Sequence, residues 1–171
     1  GHNELETIGV CQAYVEAQRE YAGVDRDGDG VLQYAQRLFS KPGTHDGLYW
    51  PATAGEPQSP FGPLAAQAAD EGYQPIKGAA RRPYHGYYFR VLKAQGPAGP
   101  GGAYSYVING RMIAGYALVA WPEKYGTSGV MTFIVNHYGQ VYQKDLGPDT
   151  TKIADKIREY NPDSTWTKVS P

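Results

Sequence analysis

The stretch Gly129-Val130-Met131-Thr132-Phe133-Ile134-Val135-Asn136-His137-Tyr138-Gly139-Gln140-Val141-Tyr142-Gln143 decides how this chain is built. A run rich in β-branched and aromatic residues meets four turn residues and then a second, shorter apolar–polar alternation, which is the pattern of a β-hairpin. Gly139 closes the turn, where a positive φ is most easily supplied by glycine. On a strand, Met131, Phe133 and Val135 share one face, and Thr132 and Asn136 share the other with Ile134 between them. The first of these faces needs a core, and the rest of the chain is read as supplying it.

Working upstream, Gly86–Lys93 has period two, with Tyr87, Phe89 and Val91 on one face, and reads as a strand. Gly96–Gly102 reads as a flexible Gly/Pro linker. Tyr104–Ile113 carries Asn109-Gly110, a strong two-residue turn signal, between Val107-Ile108 and Met112-Ile113. Ala114–Trp121 is the next strand, ended by Pro122. Four antiparallel strands preceded by helices predict an α+β fold: an N-terminal helix packed on an antiparallel β-meander of about four strands.

The covering helix is read over Glu4 to about Gly23, where Leu5, Ile8, Cys11, Val15, Gln18 and Ala22 recur at three- and four-residue steps. Asn3 followed by Glu6 has the form of a capping box. Cys11 falls on the apolar stripe and is read as a small buried hydrophobe. Gln33–Ser40 reads as a short helix stopped by Lys41-Pro42-Gly43. Lys41–Pro63 is Pro/Gly-rich ground in which Trp50 pins the loop to the body. Pro63–Glu71 is Ala-rich and helical, with Gly72 as its stop. Downstream of the hairpin, Gly147-Pro148-Asp149-Thr150 leads into a last helix over Thr151–Tyr160, with Trp166 and Val169 tying down the tail.

The totals agree with one domain of 171 residues, divided into a helix and loop over 4–40, a loop region over 41–83, a meander over 84–145 and a helical tail over 146–171. Aromatics make up 13% of the chain, too many for disorder, while 22 glycines and 13 prolines predict long Gly/Pro loops. A net charge of −1 and an isolated Arg81-Arg82 pair argue against nucleic acid. No run approaches the ~18 apolar residues of a membrane span. One cysteine excludes an internal disulfide. Gly1 has no initiating Met before it, so an upstream export segment is expected to have been removed. Low Cys, abundant Tyr and Gly, and few Lys suit an exported bacterial protein, placing it in the periplasm or outside the cell.

The most specific chemical motif is Asp25-Arg26-Asp27-Gly28-Asp29-Gly30-Val31-Leu32-Gln33-Tyr34-Ala35-Gln36. It follows a calcium loop, with Asp25, Asp27 and Asp29 as alternating carboxylates, Gly30 as the turn glycine and Val31 offering its carbonyl. Gln36 stands where a bidentate Glu belongs. A neutral amide there removes a charge and a ligand, so the expected affinity is weak, ~10⁻⁴–10⁻³ M. The competing reading is an Asp/Gly-rich turn without metal.

Together these blocks carry two resemblances. The order of helix, loops, Gly86-Tyr87-Tyr88-Phe89, Tyr116-Ala117-Leu118-Val119-Ala120-Trp121-Pro122 and Thr132-Phe133-Ile134-Val135-Asn136 is similar to the soluble domains of type IV pilin-like and pseudopilin-like proteins. More closely, Arg26-Asp27-Gly28-Asp29-Gly30, Asp46-Gly47-Leu48-Tyr49-Trp50-Pro51 and Gly129-Val130-Met131-Thr132-Phe133-Ile134-Val135 resemble a bacterial, exported family classed as a domain of unknown function. The first resemblance implies one long helix against a meander; the second implies export and no particular activity. Pilins assemble through a hydrophobic N-terminal half-helix, and this chain begins with polar Gly1-His2-Asn3.

Three functional classes follow. The leading one is a non-enzymatic extracytoplasmic protein with protein partners at the cell envelope and a weak structural calcium loop. A second is a carbohydrate or peptide binder using Tyr84, Tyr87, Tyr88, Tyr104, Tyr106 and Trp50 as exposed rings. A third is a small hydrolase or lyase built from His45, His85 and His137 with Asp46 and Glu123; no nucleophile elbow, Walker loop or dinucleotide fingerprint supports it.

Overall fold

The computed structural model describes residues 2–51, 55, 58–61 and 83–169. Helix α1 (His2–Ala22) opens the chain, and the sheet begins at β1 (Tyr87–Leu92). The chain continues through β2 (Ala94–Gln95), β3 (Tyr104–Ser105), β4 (Val107–Ile108) and β5 (Arg111–Met112). It then forms β6 (Ala117–Pro122), β7 (Met131–Asn136), β8 (Tyr142–Asp145), helix α2 (Thr150–Asp155) and β9 (Thr167–Lys168). The main sheet runs β1-β6-β7-β8-β9, every pairing antiparallel, with two small ribbons, β2-β3 and β4-β5, beside it.

The quoted hairpin forms as read: β7 pairs with β8 from Met131↔Asp145 to Ile134↔Tyr142, and Gly139 takes φ +87°. The Asn109-Gly110 turn also forms, with both residues at positive φ and Ile108 opposite Arg111. The meander is larger than expected, because β9 adds a fifth strand to the four. It is two exposed residues long and has no apolar alternation to announce it.

Both faces of the central strands are covered. β6 is buried at all six positions, and β7 at all but Met131. Helix α1 lies across β6 and β7 on the Phe133 side, while α2 packs on β6 from the other. Thr132, Ile134 and Asn136, on the second face, are therefore as buried as Phe133. The C-terminal helix read over Thr151–Tyr160 is only Thr150–Asp155, and the last described element is β9. The Arg90 guanidinium stops it, donating to the Ala154 carbonyl at 2.8 Å and to that of Ile157, while resting 5.3 Å over the Trp121 ring. A cation that hydrogen-bonds the last carbonyls closes a helix favourably.

The buried side of α1 is broader than the predicted stripe. Val10, Cys11, Tyr14, Val15, Ala17, Gln18 and Tyr21 are buried, and Leu5 is 70% exposed. Polar tips permit the extra burial. Tyr14 Oη donates to the Ala117 carbonyl at 2.9 Å, and Tyr116 Oη to the Val15 carbonyl at 3.1 Å, so helix and sheet are joined by hydroxyls as well as by packing. Asn3 lies inside the helix rather than capping it, its amide donating to Ser128 O at 2.9 Å. Glu4 accepts from the amides of Met131 and Val130 at 2.9 and 3.2 Å, fastening the helix start to the start of β7.

Residues 33–40, expected to be helical, form no helix and instead bridge to the following loop at Phe39. The cause is Gln18, fully buried on α1. Its amide nitrogen donates to Ala35 O at 2.8 Å and its oxygen accepts from Ala35 N at 2.8 Å, a strand-like pairing made by a side chain. The segment then pairs with 48–49, with Ser40 N bonding Tyr49 O and Tyr49 N bonding Leu38 O, both at 2.9 Å. Gly96–Gly102, expected to be a flexible linker, is wound around Gln95. The Gln95 amide donates to Pro100 O and Gly102 O, and its oxygen accepts from Tyr106 Oη. The Ala-rich helix read over Pro63–Glu71 lies outside the described residues.

Candidate functional site

The Asp25–Val31 loop leaves the end of α1 as a tight double turn. Asp25 anchors it with both carboxylate oxygens, accepting from Gly28 N at 3.0 Å and Gly30 N at 2.8 Å. Gly28 and Gly30 take φ +69° and +82°, conformations that favour glycine. Asp29 accepts from Val31 N at 2.9 Å on one oxygen and from Arg111 Nε at 2.9 Å on the other. The Val31 amide and the Arg111 guanidinium hold the Asp29 carboxyl below the usual carboxylate range. Asp27 accepts from the Gln33 amide at 2.9 Å.

Gln36 turns its amide nitrogen to Gly110 O, at 2.9 Å, at the tip of the β4–β5 ribbon. Tyr34 N bonds Met112 O at 2.8 Å. The whole loop is thereby sewn along the ribbon, with Arg111 as the cation beside its acidic residues. Among the described residues, no three His, Cys, Asp or Glu side chains are grouped so as to hold a metal ion. Arg111 was not legible as a participant, because it lies 82 residues from Asp29 in sequence and carries no local signal.

The three histidines of the hydrolase reading sit on three separate segments. His45 stacks on Trp50 at 4.1 Å between ring centres, and its neighbour Asp46 is occupied by Lys41 N and Thr44 Oγ1. His85 sits at φ 50° against Tyr84. His137 lies in the β7–β8 turn among Tyr106, Tyr116 and Tyr138. The Glu123 amide bonds Gly86 O. Cys11 is fully enclosed, and burial pushes its thiol up to about 12, which removes it as a nucleophile near neutral pH.

The recognition surface of tyrosines and Trp50 is largely interior. Tyr87, Tyr106 and Trp50 are buried in the core, and Tyr84, Tyr88 and Tyr104 are partly buried against it. Tyr87 spends its hydroxyl on Met131 O at 2.7 Å. Trp50 lies under His45 and the Arg26 guanidinium, fixing the loop as its position suggested. Among the described residues the exposed aromatic is Tyr138, at 67%, which the binder reading did not include. Among the described residues no helix is long and apolar enough to cross a membrane.

Residues 1–169 match the model of one protein family, described as "Protein of unknown function (DUF2950)". No curated protein and no solved structure matches the chain.

Proposed function

We propose, for a chain that belongs to the DUF2950 family, a non-enzymatic extracytoplasmic role: a pilin-like body that meets protein partners at the bacterial cell envelope and carries a weak structural calcium loop. The observation that carries the calcium reading is the Asp25 clasp on Gly28 and Gly30, which holds the turn a calcium loop requires. Calcium entry displaces Arg111 from Asp29 and Gln33 from Asp27, and no twelfth-position Glu compensates. Both facts keep the affinity near ~10⁻⁴–10⁻³ M. The ion would be structural, tying the end of α1 to the β4–β5 ribbon.

The pilin-like part rests on a 21-residue helix laid over an antiparallel sheet. The partner surface rests on Ile108 and Ile113, on and beside the β4–β5 ribbon, and on Leu32 and Tyr138, all large side chains that are exposed.

Thermal melting in increasing Ca²⁺ tests the metal. At ten times the dissociation constant, linkage gives about 1.4 kcal/mol, or a rise of roughly 3–6 °C for a chain of this size. Asp27→Ala removes a ligand without touching the Asp25 clasp, so it should abolish the rise while leaving the metal-free fold in place. An unchanged midpoint up to ~10 mM Ca²⁺, well above the expected affinity range, discards the calcium loop. A photo-crosslinker at Ile108, compared with one at Ile153 on α2, tests the partner surface in intact cells. Adducts from position 108 alone support it; equal labelling or none at either site refutes it.

A further inference from the structure

The β7–β8 turn holds a histidine in surroundings built for its neutral form. The His137 ring lies edge-on to Tyr106 at 5.6 Å, tilted against Tyr116 at 5.8 Å and edge-on to Tyr138 at 4.9 Å between centres. Beneath it Gly115 has φ +153°, and a methyl group there would lie 2.6 Å from Cε1, 2.7 Å from Nδ1 and 2.9 Å from Tyr106 Cδ1. The missing side chain at Gly115 is what lets the ring seat. Nδ1 is sealed from solvent and has no hydrogen-bond partner among the described residues. Tyr116 O, the carbonyl that acts on the ring, already accepts the His137 backbone N–H at 3.1 Å.

The groups facing the ring are phenols: Tyr106 from the β3–β4 link, Tyr116 from the segment before β6, and Tyr138 from its own turn. Burial raises the Tyr106 and Tyr116 hydroxyls, so both stay neutral across the physiological range. No carboxylate among the described residues offsets a charge on the imidazole.

We propose that His137 is a proton-operated latch: neutral, it closes the Tyr106–Gly115–Tyr116 seat; protonated, it leaves that seat and releases the turn carrying Tyr138. The turn is a short one, closed by Gly139 N on Asn136 O at 2.8 Å and Tyr138 N on Asn136 Oδ1 at 3.0 Å. It can therefore open without dismantling the sheet. Burial lowers the affinity of His137 for its proton, against a smaller opposing pull from Tyr116 O. The sign follows: the unfolded chain takes the proton first, so the latch contributes stability above the ordinary histidine range and loses it as pH falls.

The test is an NMR titration of the whole chain, following the His137 ring together with the Gly115 and Tyr138 amides, with the urea-unfolded chain as reference. The expected result is a His137 midpoint below its value in the unfolded chain, with both amides moving at that same midpoint. His137→Phe keeps a ring in the seat without a titrating group and should flatten the amide response. A midpoint at or above the unfolded value, or amides that ignore the titration, overturns the proposal. Should His137→Phe fail to fold, the wild-type titration decides alone.

Discussion

Replacing Gln18 by Leu is the sharpest test of how this fold is held. The side chain is fully buried and makes three hydrogen bonds: to Tyr14 Oη at 3.0 Å, to Ala35 O at 2.8 Å and from Ala35 N at 2.8 Å. Leucine fills similar volume, so the packing loss is small. What remains is Ala35, itself 1% exposed, with its backbone N–H and C=O deprived of partners. Each orphaned buried group costs about 1–3 kcal/mol, so the substitution should cost ~2–5 kcal/mol after some relaxation. For a chain of this length that is a fall in Tm of roughly 5–15 °C. Urea unfolding at pH 7 measures the free energy, and hydrogen exchange at the Ala35 amide shows whether the loss is local. The Glu16–Arg19 pair, exposed one turn away, is the control: Glu16→Ala should change stability by about 0.5 kcal/mol or less. A Gln18→Leu chain within ~0.5 kcal/mol of wild type would refute the reasoning, since no buried backbone group could then have been left unpaired.

Two other substitutions probe the two covers of the sheet. Arg90→Met removes the donors that close α2 and should cost ~1.5–3 kcal/mol in urea unfolding, with Arg90→Lys intermediate; equal stability of all three would mean that α2 ends without Arg90. For Glu4, burial raises the carboxyl, the Met131 and Val130 amides are among the groups that pull it down, and the net direction is down. Its contribution is therefore present above the unfolded carboxyl value and lost as pH falls through the folded one. The stability gap between wild type and Glu4→Gln should narrow on acidification, and a gap that widens contradicts this.

Turns were the most legible part of the chain. Asn109-Gly110 and Gly139 announced their hairpins because positive φ is a local requirement that few residues meet. Helix α1 was legible in position but not in face. Leu5 lies on the predicted stripe and is exposed, whereas Tyr14 and Tyr21 lie off it and are buried, together with Gln18, which lies on it. Their polar ends find partners on Ala117, Ala35 and His45, and no periodicity can show partners that distant. The same reason hid the non-helical course of 33–40 and the ordering of Gly96–Gly102, each held by a single buried glutamine. At the candidate site the Asp25 turn could be read locally, since its hydrogen bonds span three and five residues. The Arg111 contact could not.

Strand β6 has apolar residues on both sides, and this bears on how the chain finds its alignment. In a one-sided sheet, slipping a strand by one residue turns its greasy side to water, which forbids the error. Here the sequence Ala-Leu-Val-Ala-Trp-Pro offers no such penalty, since either side is dry. Alignment must instead be encoded by directional contacts, and two phenol groups reading single carbonyls, Tyr14 on Ala117 and Tyr116 on Val15, are placed to encode it. The tyrosine richness of this chain is then positional information written into an otherwise uniform interior.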